Sequence, residues 1–300
     1  MKRFFLTLAI VLLGGTAAQS QLLYRISGNG LKNPSYVLGT YHLAPASFAD
    51  SIPGLNKALN EVQQVYGELD MQDAFKPENI TKMQAAQMLP EGVTLSSLLT
   101  PEQRERLNAL LREVMGMDLS NESVAAQLDK MTPAFLSSTL SLLVYMKENT
   151  SFNPMSLIDS HVQTVAQKQG KSVGGFETVD FQMDVLYSAP LEKQVEDLMC
   201  IVDNFKDVVE MADFVTAAYF SQDLDMLTEM LDEESESPCS GGEEDGEVLI
   251  FGRNANWVKV MPDIMSAQPT LFAVGAGHLI GEKGVLDLLR AKGYIVEGVK

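Results

Sequence analysis

The sequence predicts an α/β (α+β) fold: a short-stranded sheet core built from the N- and C-terminal parts, with a large helical insertion forming a cap. Two observations predict it. Short apolar runs bounded by Gly, Asn and Pro cluster toward both ends of the 300-residue chain. The stretch at about 76–234 instead carries apolar residues mainly at helical spacing. An apolar content of 46% is enough for a sizeable core and excludes intrinsic disorder.

The elements follow in order. Residues 1–20 read as a secretory signal peptide: Lys2 and Arg3, an apolar run at 4–13 broken only by Thr7, then small residues from Gly14 to Ala18. The run is too short to span a bilayer, and cleavage after Ala18 or Ser20 fits. The expectation is an exported protein, periplasmic or secreted, with no membrane association after cleavage and residues 21–300 forming a single domain. Residues 22–27 read as a strand, and Gly28, Asn29, Gly30 and Asn33-Pro34 as a turn. A buried strand at 36–38 follows. Pro53 opens a helix with Leu55, Ala58, Leu59 and Val62 on one face, and Val65-Tyr66 makes a third strand.

Thr100-Pro101-Glu102-Gln103 is a helix start, with Thr as cap, Pro at the first position and Gln completing a capping box. Helical patterns cover about 120–131, 133–148 and 155–169. Ser172-Val173 is a short strand leading into Gly174-Gly175, and 179–234 is again helical, punctuated by Pro190. Near the end, 247–261 reads as helix, 270–274 as strand, 284–291 as helix and 294–299 as strand.

Charge and cysteines narrow the function classes. The net charge of −18 becomes −20 once Lys2 and Arg3 are removed, and no basic tract offsets it, which excludes nucleic acid as a partner. Residues 232–247 hold Asp232, Glu233, Glu234, Glu236, Glu243, Glu244, Asp245 and Glu247 without a base. This acidic loop reads as a solvated segment, with a weak site for a hard cation as the alternative. In an oxidising compartment Cys200 and Cys239 are expected to pair as a disulfide.

Two of the three histidines share one grammar: Tyr36-Val37-Leu38-Gly39-Thr40-Tyr41-His42 and Phe272-Ala273-Val274-Gly275-Ala276-Gly277-His278. Each is an apolar strand delivering a His through a turn marked by Gly39, or by Gly275 and Gly277. In α/β sheets, ligands bind at the carboxyl ends of strands. Val65-Tyr66-Gly67-Glu68-Leu69-Asp70 ends the same way, with Glu68 or Asp70 as a carboxylate candidate. Two imidazoles and a carboxylate suit Zn, Mn, Fe or Co, and such an ion makes a nucleophile of bound water. The plain alternative is polar turn and cap chemistry. Glu177, after Gly174-Gly175, is a ligand, a general acid or a helix-start carboxylate. Arg253, one helical turn before Trp257, binds substrate or stacks on the indole. His161, inside a helix, reads as a packing residue. There is no H-E-x-x-H, no G-x-S-x-G and no P-loop.

These motifs, with Ile26-Ser27-Gly28-Asn29-Gly30-Leu31, Gly175-Phe176-Glu177-Thr178, Arg253-Asn254-x-x-Trp257 and the closing Val274-Gly275-Ala276-Gly277-His278-Leu279, resemble the TraB/PrgY/GumN family over roughly 22–299. That family includes the Tiki metalloproteases, which use Mn or Co. The resemblance implies a divalent metal ion (Mn, Co or Zn) held by His42, His278 and Glu68. It also implies Glu177 as a further acid, and Arg253 with Asn254 orienting substrate or transition state. The expected function is an exported metal-dependent hydrolase acting on a peptide or protein substrate. The alternative is a non-catalytic peptide or signal-molecule binding protein on the same fold.

Overall fold

Turn residues and apolar runs at the chain ends produce strands that assemble into one mixed sheet. The computed structural model describes residues 21–234, 239 and 245–300; the predicted signal peptide and much of the acidic loop lie outside the described residues. Among the described residues, six strands form the sheet: β1 (Leu23–Ser27), β2 (Ser35–Thr40), β3 (Gln64–Gly67), β4 (Ser172–Gly175), β5 (Thr270–Gly275) and β6 (Ile295–Gly298), in the order β4-β3-β5-β2-β1-β6. β5 pairs in parallel with both β2 and β3, and β3 in parallel with β4. β1 is antiparallel to β2 and β6. The mixed α/β architecture expected from the sequence is the one observed.

Burial explains this order. Every residue of β2 and all but the last of β5 are buried, so both faces of these strands are covered and they read as unbroken apolar runs. On the antiparallel side, β6 is largely exposed, as befits an edge. After β2, a 3-10 turn (Ala46–Ser51) and helix α1 (Leu55–Glu61) carry the chain across β5 to β3. Gly54, not Pro53, caps α1, in a left-handed conformation with φ 75° that glycine adopts without strain.

The middle of the chain is helical, interrupted only by β4. It comprises α2 (Met71–Ala74), α3 (Pro77–Ala86), α4 (Leu95–Leu98), α5 (Pro101–Met115), α6 (Glu122–Leu128), α7 (Pro133–Glu148), α8 (Ile158–Lys168), α9 (Val179–Tyr187), α10 (Leu191–Asp203), α11 (Phe205–Phe220) and α12 (Leu224–Glu234). The Thr100–Gln103 capping box forms as expected, Thr100 Oγ1 accepting from Gln103 N at 3.2 Å and Gln103 Oε1 accepting from Thr100 N at 2.8 Å. Not all of these helices form a cap. Leu107, Leu111, Leu136, Leu140 and Leu198 build a separate core among α5, α7 and α10. α8, α11 and α12 instead bury Ile158, Val162, Tyr219 and Leu227 in the core of the sheet.

The last helical pattern splits in two: a π-helical turn (Glu247–Phe251) leads directly into α13 (Gly252–Ala267). A 3-10 turn (Ala276–His278) and α14 (Val285–Ala291) complete the chain. No described helix is long and apolar enough to cross a membrane.

Cys200 on α10 and Cys239 form the expected disulfide, with Cα atoms 5.5 Å apart and a sequence separation of 39. A cross-link of that span removes about 4 kcal/mol of loop entropy from the unfolded chain, though delivered values run about 2–4 kcal/mol. The double variant Cys200→Ser/Cys239→Ser should therefore lose about 2–4 kcal/mol in urea denaturation. An unchanged midpoint would show that the bridge constrains nothing.

Candidate functional site

The parallel register delivers four strand ends to one edge of the sheet. β2 ends at Thr40, with His42 in the turn beyond it, and β5 ends at Gly275, with His278 closing the 3-10 turn. Beyond β3 and β4 the ladder continues: Phe176 N donates to Gly67 O at 3.0 Å and Glu177 N to Glu68 O at 2.9 Å. Glu68 and Glu177 thus leave adjacent strands side by side. A Cβ on Gly175 would lie 2.4 Å from Asp70 N, so only glycine lets β4 approach the bend after β3 this closely. Gln163 on α8 pins the same bend, Oε1 accepting from Met71 N at 2.9 Å and Nε2 donating to Leu69 O at 2.8 Å. Asp70, weighed with Glu68 as a carboxylate candidate, instead caps α2 by accepting from Gln72 N at 2.9 Å.

One guanidinium joins the two glutamates. Arg253 Nε donates to Glu177 Oε1 at 2.8 Å; Nη2 donates to Glu177 Oε2 at 2.8 Å and to Glu68 Oε2 at 2.6 Å. Nη1 donates to Leu249 O at 2.9 Å and lies 3.3 Å from His278 Nε2. These contacts engage all five donors of the group. The guanidinium also sits 5.0 Å from the Trp257 ring, so the stacking foreseen as the plain alternative coexists with ion pairing. Trp257 Nε1 donates to Glu177 Oε1 at 2.9 Å, and Phe176 stacks between Trp257 and Phe272. Gln182 on α9 adds a donor to Glu177 Oε2 at 3.0 Å and to Glu68 Oε2 at 3.4 Å.

Glu68 Oε1 accepts from Gly275 N at 2.8 Å, an approach open because a Cβ on Gly275 would stand 3.3 Å from that oxygen. Gly275 has a negative φ, and so has Gly277, around which a Cβ would meet nothing within 4 Å. Gly39 lies inside β2 rather than in a turn; a Cβ there would press on Ala276 at 3.2 Å. Gly39 and Gly275 therefore serve close packing. Burial alone would raise the Glu68 pKa, but its neighbours, His278, His42, Arg253 and the Gly275 amide, outweigh it and hold the carboxyl below its ordinary value.

Asn254 is fully buried behind His278. Its Nδ2 donates to the carbonyls of His278 at 3.2 Å and Lys283 at 3.0 Å, which turns Oδ1 toward His278 Nδ1 at 2.7 Å. Nδ1 therefore carries the ring proton, and Nε2 presents a lone pair 3.8 Å from Glu68 Oε1. Burial pushes the imidazole pKa down to about 4, so this tautomer is neutral at ordinary pH. His42 is exposed, with 68% of its side chain open to solvent. Its Nδ1 lies 3.3 Å from Asp159 Oδ2, and Asp159 Oδ1 accepts from Thr40 Oγ1 at 2.6 Å. The hydrogen bond and charge of Asp159 lift His42 to about 9.

A cavity of about 350 Å³ is lined by His42, Glu68, Arg253, Gly275, Gly277 and His278 together with apolar side chains. A second, of about 210 Å³, shares His42 and Glu68 and adds Asp159, Gln163 and Gln182. Sequence residues 42, 68, 253 and 278 thus converge on one cavity, Glu177 and Asn254 support it from behind, and His161 is half-buried within α8. Asp159 and Gln182 carry no warning in the sequence. Asp159, in the first turn of α8, looks like a residue favoured by the helix dipole, and Gln182 like an ordinary helix position. Among the described residues, no group of three or more His, Cys, Asp or Glu side chains is placed to hold a metal ion.

Fold and site together define a mixed α/β protein with a histidine–carboxylate centre at the carboxyl edge of its parallel strands. The chain belongs to the TraB/PrgY/gumN family, whose sequence profile matches residues 22–298. It is similar to the metalloprotease TIKI2 of Danio rerio, 24% identical over 88% of this chain and 58% of the relative. It is also similar to a metalloprotease TIKI homolog of Nematostella vectensis (25%, over 89% and 65%) and to the metalloprotease TIKI1 of Homo sapiens (25%, over 88% and 59%). The chain spans about six-tenths of the length of these relatives. No solved structure matches it.

Two outcomes are expected from this geometry. The folded His42 pKa lies above the ordinary 6.5, so its pairing adds stability that is complete below about pH 6.5 and lost as pH rises through about 9. Asp159→Asn should return His42 toward 6.5 in an NMR titration of the imidazole, and an unmoved value would refute the pairing. Glu177→Leu leaves the buried Arg253 with Glu68 alone; the loss should be about 3–5 kcal/mol in chemical denaturation. A loss within about 0.5 kcal/mol, the range of ordinary surface changes, would refute the role of Glu177 as counter-ion.

Proposed function

We propose that this chain is an exported metal-dependent hydrolase, a peptidase, acting at the cavity between His42, Glu68 and His278. The observation that carries the reading is His278: its Nδ1 is committed to Asn254, and its Nε2, 3.3 Å from Arg253 Nη1, points into the cavity 3.8 Å from Glu68 Oε1. That polarity suits a metal-binding histidine, whose second nitrogen is held by an outer partner. The donor types suit a divalent ion, since two imidazoles and a carboxylate line one cavity and Glu68 Oε1 keeps a lone pair beyond its bond to Gly275 N, but holding an ion would require these side chains to draw together. His278, Glu68 and His42 would hold it, with Mn, Co and Zn the candidates. Such an ion, when bound, polarises a carbonyl and lowers the pKa of water.

The chain's own groups do the rest. Asn254 fixes the tautomer of His278. Arg253 holds Glu68 and Glu177 in place and balances their charge, and Glu177 keeps Arg253 fixed. His42, protonated by its bond to Asp159, is positioned to give a proton to a leaving group over the cavity when it is not itself a ligand. Export agrees with the disulfide, since such bonds persist in oxidising compartments. The relatives named as metalloproteases support the reaction class. A second reading, a non-catalytic peptide or signal-molecule binder, is favoured by the occupation of Glu68 by Arg253.

The test is metal content by mass spectrometry and hydrolysis of an unfolded protein, in wild type, His278→Ala and Asn254→Ala. Wild type should bind about one ion per chain and cleave. His278→Ala should lose both, and Asn254→Ala should lose about 10- to 100-fold in metal affinity. Equal metal content and equal cleavage in wild type and His278→Ala would sink the hydrolase reading; peptide binding without cleavage would favour the second.

A further inference from the structure

We infer that the larger cavity is a specificity pocket for one large apolar side chain of the substrate, with its selective wall built mainly by the helical region. The inference rests on the peptidase reading of the adjoining site.

The apolar lining of this cavity includes Val215, Tyr219, Leu227, Leu249, Ile250 and Ile280. They come from α11, α12, the π-helical turn and the segment after β5, elements far apart in sequence. His42, Glu68, Arg253 and His278 line the same cavity. The volume of about 350 Å³ and this lining, mainly apolar with a few polar groups, match the common form of a ligand pocket.

The charge arrangement decides what the pocket accepts. Among the described residues, two cations line the cavity: Arg253, whose donors are engaged by Glu68, Glu177, Leu249 O and His278, and the solvent-exposed His42, paired with Asp159. Arg253 has no unused donor for an acidic side chain, and an acid lodged among Val215, Tyr219 and Leu227 would bury its charge, with His42 standing exposed outside that apolar lining. Glu68, bonded to Arg253 and Gly275 N, stands with the polar groups, so a lysine lodged among the apolar side chains would bury its charge away from it. An apolar side chain meets neither cost.

The wall is also held in place. Tyr219 donates from its hydroxyl to Gly39 O at 3.2 Å, and its ring packs on Tyr41 and Phe48 with centroids 5.3 and 5.5 Å away. Ala218, Tyr219, Leu224 and Leu227 belong to the sheet core. The smaller cavity, which shares His42 and Glu68, carries Asp159, Gln163 and Gln182 together with Met71, Phe75 and Leu157. The larger cavity is the one bounded by α11 and α12, so an extended chain crossing Glu68 is read there for an apolar residue.

The experiment uses peptides identical except for Leu, Phe, Ala, Lys or Asp at one position, scanned through that position. Hydrolysis and calorimetric binding are measured on the full mature chain as wild type, Val215→Phe and Val215→Ala, with thermal unfolding to check that each variant folds. Wild type should favour Leu and Phe over Ala, Lys and Asp by about tenfold or more in kcat/KM or Kd, within the range hydrophobic pockets reach. Val215→Phe should lower the preference for Phe most while sparing Ala, and Val215→Ala should shift the optimum toward the larger side chain. Hydrolysis without an apolar preference, or a preference unchanged in both variants, would overturn the pocket and leave the hydrolase reading standing. Apolar-selective binding that shifts in the variants, without any hydrolysis, would keep the pocket and overturn the catalytic reading. Neither binding nor hydrolysis of any peptide would overturn both.

Discussion

Because β5 pairs in parallel with β2 on one side and β3 on the other, His42, Glu68 and His278 all leave the sheet at the same edge. The pairing of β3 with β4 adds Glu177. An antiparallel partner at any of these positions would have sent its terminal residue to the opposite edge. Parallel pairing in turn needs long connections, and the chain uses them: one crosses from β2 to β3, and the helical middle lies on either side of β4. The size of the helical region and the convergence of the site are therefore two results of the same constraint.

Gathering acids at one edge creates an electrostatic problem that Arg253 resolves. Glu68 and Glu177 are both nearly buried, and two carboxylates at neighbouring strand ends repel. The shared guanidinium offsets that repulsion in a place where burial of an unpaired charge would cost several kcal/mol. Trp257 covers the group and bonds Glu177, and the π-helical turn supplies the Leu249 carbonyl that receives Nη1. The net charge of −18 has no part in this balance; its densest run lies at 232–247, largely outside the described residues. What the site needs is one cation in the right place.

The strand–glycine–histidine motifs, the Glu68 strand and the Arg253–Trp257 spacing were legible because each is local: a few adjacent residues encode a strand and the side chain just beyond its end. The Thr100 capping box and the Cys200–Cys239 pairing were legible for related reasons, fixed spacing in one case and redox chemistry in the other. Asp159 and Gln182 were not. Asp159 meets His42 across 117 positions, and Gln182 meets Glu68 across 114. Each occupies an ordinary helix position that gives no sign of the contact. The role of Asn254 was half legible: its place beside Arg253 marks it, but only its burial and its two carbonyl partners turn it toward His278. The helical middle was readable as helix, while its division between a separate core and the sheet core depended on which apolar faces met.

Read alone, the order of residues determined the chemistry available: two histidines and a glutamate placed just after apolar strands, an arginine one turn from the tryptophan, and a middle rich in helical periodicity. Local steric and hydrophobic preferences suffice for that, since strand ends, caps and helix faces are decided over a few residues. Which of these groups meet, in what protonation state and against which wall, was decided by the packing of the whole chain. Those outcomes depend on contacts between residues a hundred or more positions apart, and on burial, which no local run of residues contains.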